Sequence, residues 1–135
     1  IVRLNDKMLQ NHTKIGTLAA LIKENKNLKN ENIVKVITEN ALIENNFPKS
    51  ISFLRKSEKI NNIYHHIGVY CYSKDSLEKF VQLSQSENEI ENQLEQLRAL
   101  DNNIDINVSL AKSSPIGVDT EEDYLALKKI MEYKN

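Results

Sequence analysis

The stretch "YHHIGVYCY", residues 64–72, decides how this chain is read. It is rich in aromatic and β-branched residues, and its side chains sort by the period of a strand. Ile67, Val69 and Cys71 point one way; His66, Gly68, Tyr70 and Tyr72 point the other. His65 and His66 are neighbours and face opposite sides, so a regular strand does not let them share a metal. His66 and Tyr70 share a face but stand about 13 Å apart along a regular strand, so only a twist or bend aims both into one pocket. Histidines closing a strand end at the surface are the plainer alternative.

Working outward, "IGTLAALI" (15–22) is an almost unbroken apolar run, which predicts a strand buried on both faces. Before it, Ile1, Leu4 and Met8 recur at helical spacing. "ENKNLKNEN" (24–32) is polar without period and reads as a surface loop, and "IVKVI" (33–37) as a second strand. Residues 38–62 are rich in Asn, Lys and Ser, with Phe47, Ile51, Phe53 and Leu54 as apolar anchors; they leave room for a short strand and a mobile loop. Beyond residue 72 a helix is predicted with Leu77, Phe80 and Val81 on its inner stripe. "SENEIENQLEQLRAL" (86–100) opens with a capping box, Ser86 and Glu89, and continues with Ile90, Leu94 and Leu97 in the rhythm of one amphipathic helix. "IDINVSL" (104–110) alternates as a strand does, and a last helix is expected from near Thr120, burying Leu127, Ile130 and Met131. Strands interleaved with helices argue an α/β fold with a mostly parallel sheet.

Composition narrows the function. The chain has 135 residues, which suits one domain, and a net charge of −1, which offers no electrostatic footprint for nucleic acid or a membrane surface. The single cysteine, Cys71, cannot form an internal disulfide and suits a reducing compartment. No apolar run approaches a membrane span and no signal peptide is visible, so a cytoplasmic location is expected. Three glycines are few for an enzyme with phosphate-binding loops, and the first residue, Ile1, already lies in a helical pattern. Both suggest that an N-terminal half is missing.

Three clusters carry possible chemistry. His66 and Tyr70 are the first. Glu91, Glu95 and Arg98 stack at helical spacing; a solvated face explains them, but Glu95 and Gln96 adjoin the apolar Leu94 and Leu97 and are placed to reach a cleft. The third is Asp119 in "SSPIGVDTEEDY" (113–124). Thr120 and Asp123 fit a helix start, and the neighbouring acids suit the helix dipole. Asp119 comes one residue too early for that role, and is either a loop aspartate or a metal ligand. The sequence holds no Walker loop, G-x-S-x-G, zinc spacing or dinucleotide fingerprint.

Taken together, "YHHIGVYCY", "LEQLRAL" and "GVDTEEDY" resemble the C-terminal half of the 3-deoxy-manno-octulosonate (Kdo) cytidylyltransferase family. That family shows R-H-[LI]-G-[IV]-Y-x-Y, L-E-Q-L-R and G-V-D-T in this order. "IGTLAALI" and "NIVKVI" are similar to its T-L-A and N-x-V-K-V-V strands, so the resemblance runs over essentially the whole chain.

The resemblance implies a nucleotide-sugar-transferase (GT-A-like) α/β fold, a homodimer, and transfer of CMP from CTP to Kdo with release of pyrophosphate. The product, CMP-Kdo, serves lipopolysaccharide synthesis. It implies Mg2+ as cofactor, with Asp119 as catalytic metal ligand, a role that suits a hard dication. It places His66, Tyr70, Glu95 and Gln96 around the sugar. Three departures stand out. Lys49 of "FPK" stands where the family has an arginine for the sugar carboxylate, which keeps the charge but loses the bidentate fork. His65 replaces an arginine and Asn92 a glutamate. A related octulosonic or nonulosonic acid therefore remains an alternative substrate, and a non-catalytic sugar-binding or dimerising module the alternative from another class. The family's basic first loop and Q-G-D-E-P segment are not among these residues, so the chain alone is expected to be inactive.

Overall fold

Small and apolar residues let the first helix lie directly on the first strand. A computed structural model describes residues 2–58 and 61–111. Helix α1 (Val2–Asn11) buries Leu4 and Met8, one turn apart, against strand β1 (Ile15–Ala20). The contact is close at Gly16, where a Cβ would stand 2.6 Å from Met8 Sδ and 3.0 Å from Leu4 Cδ1, so that these side-chain ends would have to move to admit it. β1 is buried along nearly its whole length, as its apolar run predicts. A 3-10 helix (Asn25–Lys29) fills the polar stretch that follows.

Strands β2 (Lys35–Thr38), β3 (Ser50–Leu54) and β4 (Ile63–Tyr72) come next. Helices α2 (Lys74–Gln82), α3 (Glu87–Asn92) and α4 (Leu97–Asp101) then lead to strand β5 (Ile106–Leu110). The strand order is β3-β2-β4-β1-β5. The α/β expectation holds, but the sheet is mixed rather than mostly parallel. Among the described strands only β1 and β5 run parallel, while β1/β4, β2/β3 and β2/β4 are antiparallel. The physical reason lies in the connections. Among these strands α-helices intervene only between β4 and β5; the others are joined by irregular segments that let neighbours run antiparallel.

β3 and β5 sit at opposite ends of the strand order, yet the chain before β3 reaches β5. Val108 N–H donates to Pro48 O at 2.8 Å, and Asn107 Nδ2 to Phe47 O at 2.7 Å. The sheet is therefore curled. The larger of two apolar clusters among the described residues runs through it, built on Ile15, Val36, Phe53, Ile106 and Val108 with Leu94 and Leu97 from the helical segment, and a smaller one gathers Leu28, Ile37 and Ile63. Two polar groups are folded into this interior with partners. Tyr64 Oη accepts from Leu42 N–H at 2.8 Å, and Lys35, fully buried, donates from Nζ to the carbonyls of Asn30 and Arg55.

Two helical expectations are corrected. In α2 only Phe80 of the predicted stripe is buried; Leu77 and Val81 are exposed, and Ser76 takes the inward place one turn before Phe80. Ser73 sets this phase, its side chain accepting from Ser76 N–H at the helix start. The capping box of Ser86 and Glu89 forms as predicted, but the single amphipathic helix does not. Its first half stops at Gln93, which is left-handed with φ 54°, and Leu94 N–H bonds back to Glu89 O. Arg55 stabilises the break, donating from Nε to Asn92 O and from Nη2 to Gln93 O, both at 3.0 Å. Ile90 is left exposed, whereas Leu94 and Leu97 reach the core from separate segments.

Candidate functional site

β1 and β4 pair regularly from both ends but lose register in the middle. Leu18 faces Ile67 and Thr17 faces Tyr70, so β4 carries two extra residues, Gly68 and Val69, at this point. A bulge of this kind bends its strand and re-aims side chains. That is the bend the spacing of His66 and Tyr70 requires, and it brings their rings to a centroid separation of 5.5 Å. Thr17, fully buried, fastens the bulge: its Oγ1 lies 2.7 Å from Val69 O, 3.2 Å from Ile67 O and 2.9 Å from His66 Nε2.

From His66 an aromatic ladder runs along the site. Phe53 meets His66 edge-on at 4.9 Å, Tyr70 meets Tyr72 at 6.0 Å, and Tyr72 meets Phe80 at 6.0 Å. The Arg98 guanidinium closes it, 4.9 Å above the Phe80 ring. Arg98 is held from behind by Glu89 through a two-pronged pair, Nε–Oε1 at 2.8 Å and Nη2–Oε2 at 2.6 Å. Glu89 is thereby shared between the capping box and Arg98, and the Arg98 hydrogen bond keeps its carboxyl below the usual range.

Electrostatics divide the site into neutral and charged parts. Burial, with a smaller contribution from His65, pushes the His66 imidazole down to about 4, so it is neutral at pH 7. Burial likewise raises the Tyr70 and Tyr72 phenols, and the Glu95 carboxylate adds to both. Glu95 also acts on Arg98 and is thus in electrostatic reach of all three side chains. It lies on the wall of a hollow of about 440 Å3 with Glu89, Gln93 and Arg98. Neutral ring donors and acceptors beside one exposed carboxylate make a surface suited to hydroxyl groups.

The residues singled out in the sequence fall into three groups. His66 and Tyr70 are brought together, and the Glu95 carboxylate is within electrostatic reach of Tyr70. Gln96, half-buried, follows Glu95 at the start of α4. Lys49 is elsewhere engaged, exposed and paired with Asp105 at 3.2 Å, its backbone bridged to Asn107 of β5. Asp119 and the helix expected from Thr120 lie outside the described residues. Among the described residues no three His, Cys, Asp or Glu side chains converge to hold a metal, and no helix is long and apolar enough to cross a membrane. Thr17, Phe53 and Tyr72 belong to the site but were not read from the sequence. A lone hydroxyl inside the apolar run 15–22 was the available sign for Thr17, and the shared parity of Tyr70 and Tyr72 for the ladder.

Known proteins resemble this chain over most of its length. It is 41% identical over 128 residues to the 3-deoxy-manno-octulosonate cytidylyltransferase of Bartonella bacilliformis, covering 93% of this chain and 52% of that protein. It is 38% identical to the same-named protein of Thermodesulfovibrio yellowstonii, covering 97% and 54%. The chain thus spans about half the length of the curated relatives it matches. A solved structure of CMP:2-keto-3-deoxy-manno-octonic acid synthetase complexed with CTP has the same fold, with a TM-score of 0.83 at 24% identity over 98% of this chain and 55% of that one. The family described as cytidylyltransferase matches residues 1–106, which takes in β1, the bulged β4 and the Glu95 segment, and this chain belongs to that family.

Proposed function

We propose that this chain supplies the sugar-binding side of an enzyme that transfers CMP from CTP to Kdo. The observation that carries the reading is the meeting of His66 and Tyr70 across the β4 bulge, with the Glu95 carboxylate from a later segment acting on the Tyr70 phenol. The relatives named for this reaction support it. In the reaction the anomeric hydroxyl of the sugar forms a bond to the α-phosphorus of CTP, the bond to the β-phosphate oxygen breaks, and pyrophosphate leaves. The part played here is positioning, which in phosphoryl transfer supplies much of the rate.

His66 and Tyr70 offer neutral hydrogen-bonding groups to sugar hydroxyls, and Glu95 and Gln96 offer an anionic acceptor and an amide. A ligand hydroxyl left unpaired in such a site costs about 1–3 kcal/mol, which is how a polyol of one configuration is selected. Lys49 is the cation for the sugar carboxylate, and reaching it means exchanging the Asp105 partner it holds. Asp119 would hold Mg2+, whose carboxylate preference it fits and which, when bound, offsets charge on the triphosphate. The intact enzyme acts as a homodimer in the cytoplasm and feeds lipopolysaccharide synthesis.

Calorimetry on the intact protein tests this. His66→Ala and Glu95→Ala are expected to weaken Kdo binding about tenfold or more and leave CTP binding unchanged, while Asp119→Asn weakens only the magnesium-dependent part of CTP binding. CTP affinity lost with Kdo affinity kept in the first two variants overturns the assignment. Binding of a related octulosonic acid in preference to Kdo would transfer the site to that substrate.

A further inference from the structure

The hydrogen bonds around Thr17 contain more information than its role in the bulge. Its hydroxyl has one proton and three close neighbours: Val69 O at 2.7 Å, Ile67 O at 3.2 Å and His66 Nε2 at 2.9 Å. The two carbonyls can only accept. Were Nε2 also without a proton, all three neighbours would compete for a single hydrogen. Giving it to His66 would leave Oγ1 and Val69 O facing each other at 2.7 Å with nothing between them, at a threonine side chain that is itself fully buried. Only one arrangement satisfies the cluster. Oγ1–H donates to Val69 O, the shorter contact, and His66 Nε2–H donates to Oγ1.

We propose that Thr17 is a positioning residue that fixes His66 as its Nε2–H tautomer and so presents Nδ1 as the acceptor for a hydroxyl of the bound ligand. The hydroxyl that closes the β4 bulge therefore also decides which ring nitrogen carries the proton. The ring is further held between Phe53, edge-on at 4.9 Å, and Tyr70 at 5.5 Å, so it has little freedom to turn over and exchange the roles of its nitrogens. Its neutrality at pH 7 agrees with this arrangement.

The consequence for recognition rests on the sugar-binding reading above. A neutral imidazole with a free lone pair accepts from a hydroxyl and contributes no charge to a carboxylate. His66 accordingly discriminates among hydroxyl configurations, and the acid group of the ligand must be met by another side chain.

Thr17→Val and Thr17→Ser separate the possibilities, because valine keeps the shape without the hydroxyl and serine keeps the hydroxyl. The first measurement is the histidine side-chain 1H–15N spectrum of the intact, ligand-free protein at pH 7. His66 is expected as the Nε2–H tautomer in the unsubstituted protein and in Thr17→Ser, and as a mixture or the other tautomer in Thr17→Val. An Nδ1–H signal in the unsubstituted protein, or an unchanged tautomer in Thr17→Val, overturns the proposal. If Thr17→Val does not fold, the unsubstituted and serine spectra still decide the tautomer, and loss of the Nε2–H form in either one refutes it. The second measurement is Kdo binding, expected to fall about tenfold or more in Thr17→Val and to recover in Thr17→Ser. A correct tautomer without any Kdo binding in the unsubstituted protein refutes the sugar-binding reading and leaves the positioning role of Thr17 standing.

Discussion

Acidifying the intact protein from pH 7 to pH 5 is expected to cost it about 2 kcal/mol of folding stability through His66 alone. The fold holds this imidazole down to about 4, against 6.5 for a histidine in water. Between those values the unfolded chain binds a proton that the folded chain refuses, so stability falls as the pH falls. The contribution is complete above about pH 6.5, declines as the pH drops towards 4, and levels off at about 3 kcal/mol lost, from two and a half units at about 1.4 kcal/mol each. Thr17 does not relieve the cost, because the Nε2–H bond it accepts is present in the neutral and the charged ring alike. The penalty falls on placing charge between Phe53 and Tyr70, with His65 beside it on β4. His65 is itself lowered, by burial and then by Lys35 from β2, and it adds loss in the same direction. Glu89, held low by Arg98, gives way only below its ordinary carboxyl range and stays out of the window. The assay is urea unfolding at pH 5, 6 and 7 in parallel for the protein and for His66→Gln, comparing slopes against pH rather than absolute stabilities. A shallower slope in the variant by about 2 kcal/mol over the range is the expected result. Parallel slopes would mean that His66 is protonated at no cost, and the account of its burial would fall.

Two further outcomes follow from packing. Gly16→Ala is expected to destabilise by about 1–3 kcal/mol, since its Cβ would press on Met8, Leu4 and Phe47, whereas Gly68→Ala, with nothing within 4 Å of the added carbon, should be close to neutral in the same denaturation assay. Glu89→Ala removes the carboxylate half of the α3 capping box and the partner of Arg98, leaving the Ser86 cap in place, and a loss of about 3–5 kcal/mol in denaturant unfolding is expected; a loss below about 1 kcal/mol would show the pair to be dispensable.

The strands were legible because their signals are local. The apolar run of β1 specifies its own burial and the Ser86 and Glu89 spacing specifies a helix start, whereas the alternation read for β4 does not match its burial: His66 and Ile67 are both buried, and residues 69–72 are all half-buried. What stayed hidden depends on residues far apart in sequence. The interruption at Gln93 comes with Arg55, nearly forty residues earlier, taking the helix carbonyls. The bulge needs Thr17 against Val69 across two strands, so strand periodicity kept His66 and Tyr70 apart when the fold brings them together. The mixed direction of the sheet is likewise a property of which strands become neighbours, a choice that alternating strand and helix patterns do not record. Of the candidate site, the sequence singled out His66, Tyr70 and Glu95, while Thr17 was absorbed into an apolar run and Phe53 into the general core.

The aromatic ladder gives the protein a spectroscopic identity. The chain contains five tyrosines and no tryptophan, so its ultraviolet emission is tyrosine emission, with no indole to drain the excitation. Two of those five, Tyr70 and Tyr72, stand ring to ring between the neutral imidazole and the Phe80–Arg98 pair. The Glu95 carboxylate acts electrostatically on both phenol groups. A molecule that settles on this surface changes what surrounds both rings at once. Binding at this surface is therefore expected to change the tyrosine emission and near-ultraviolet dichroism of this chain, without any label being introduced.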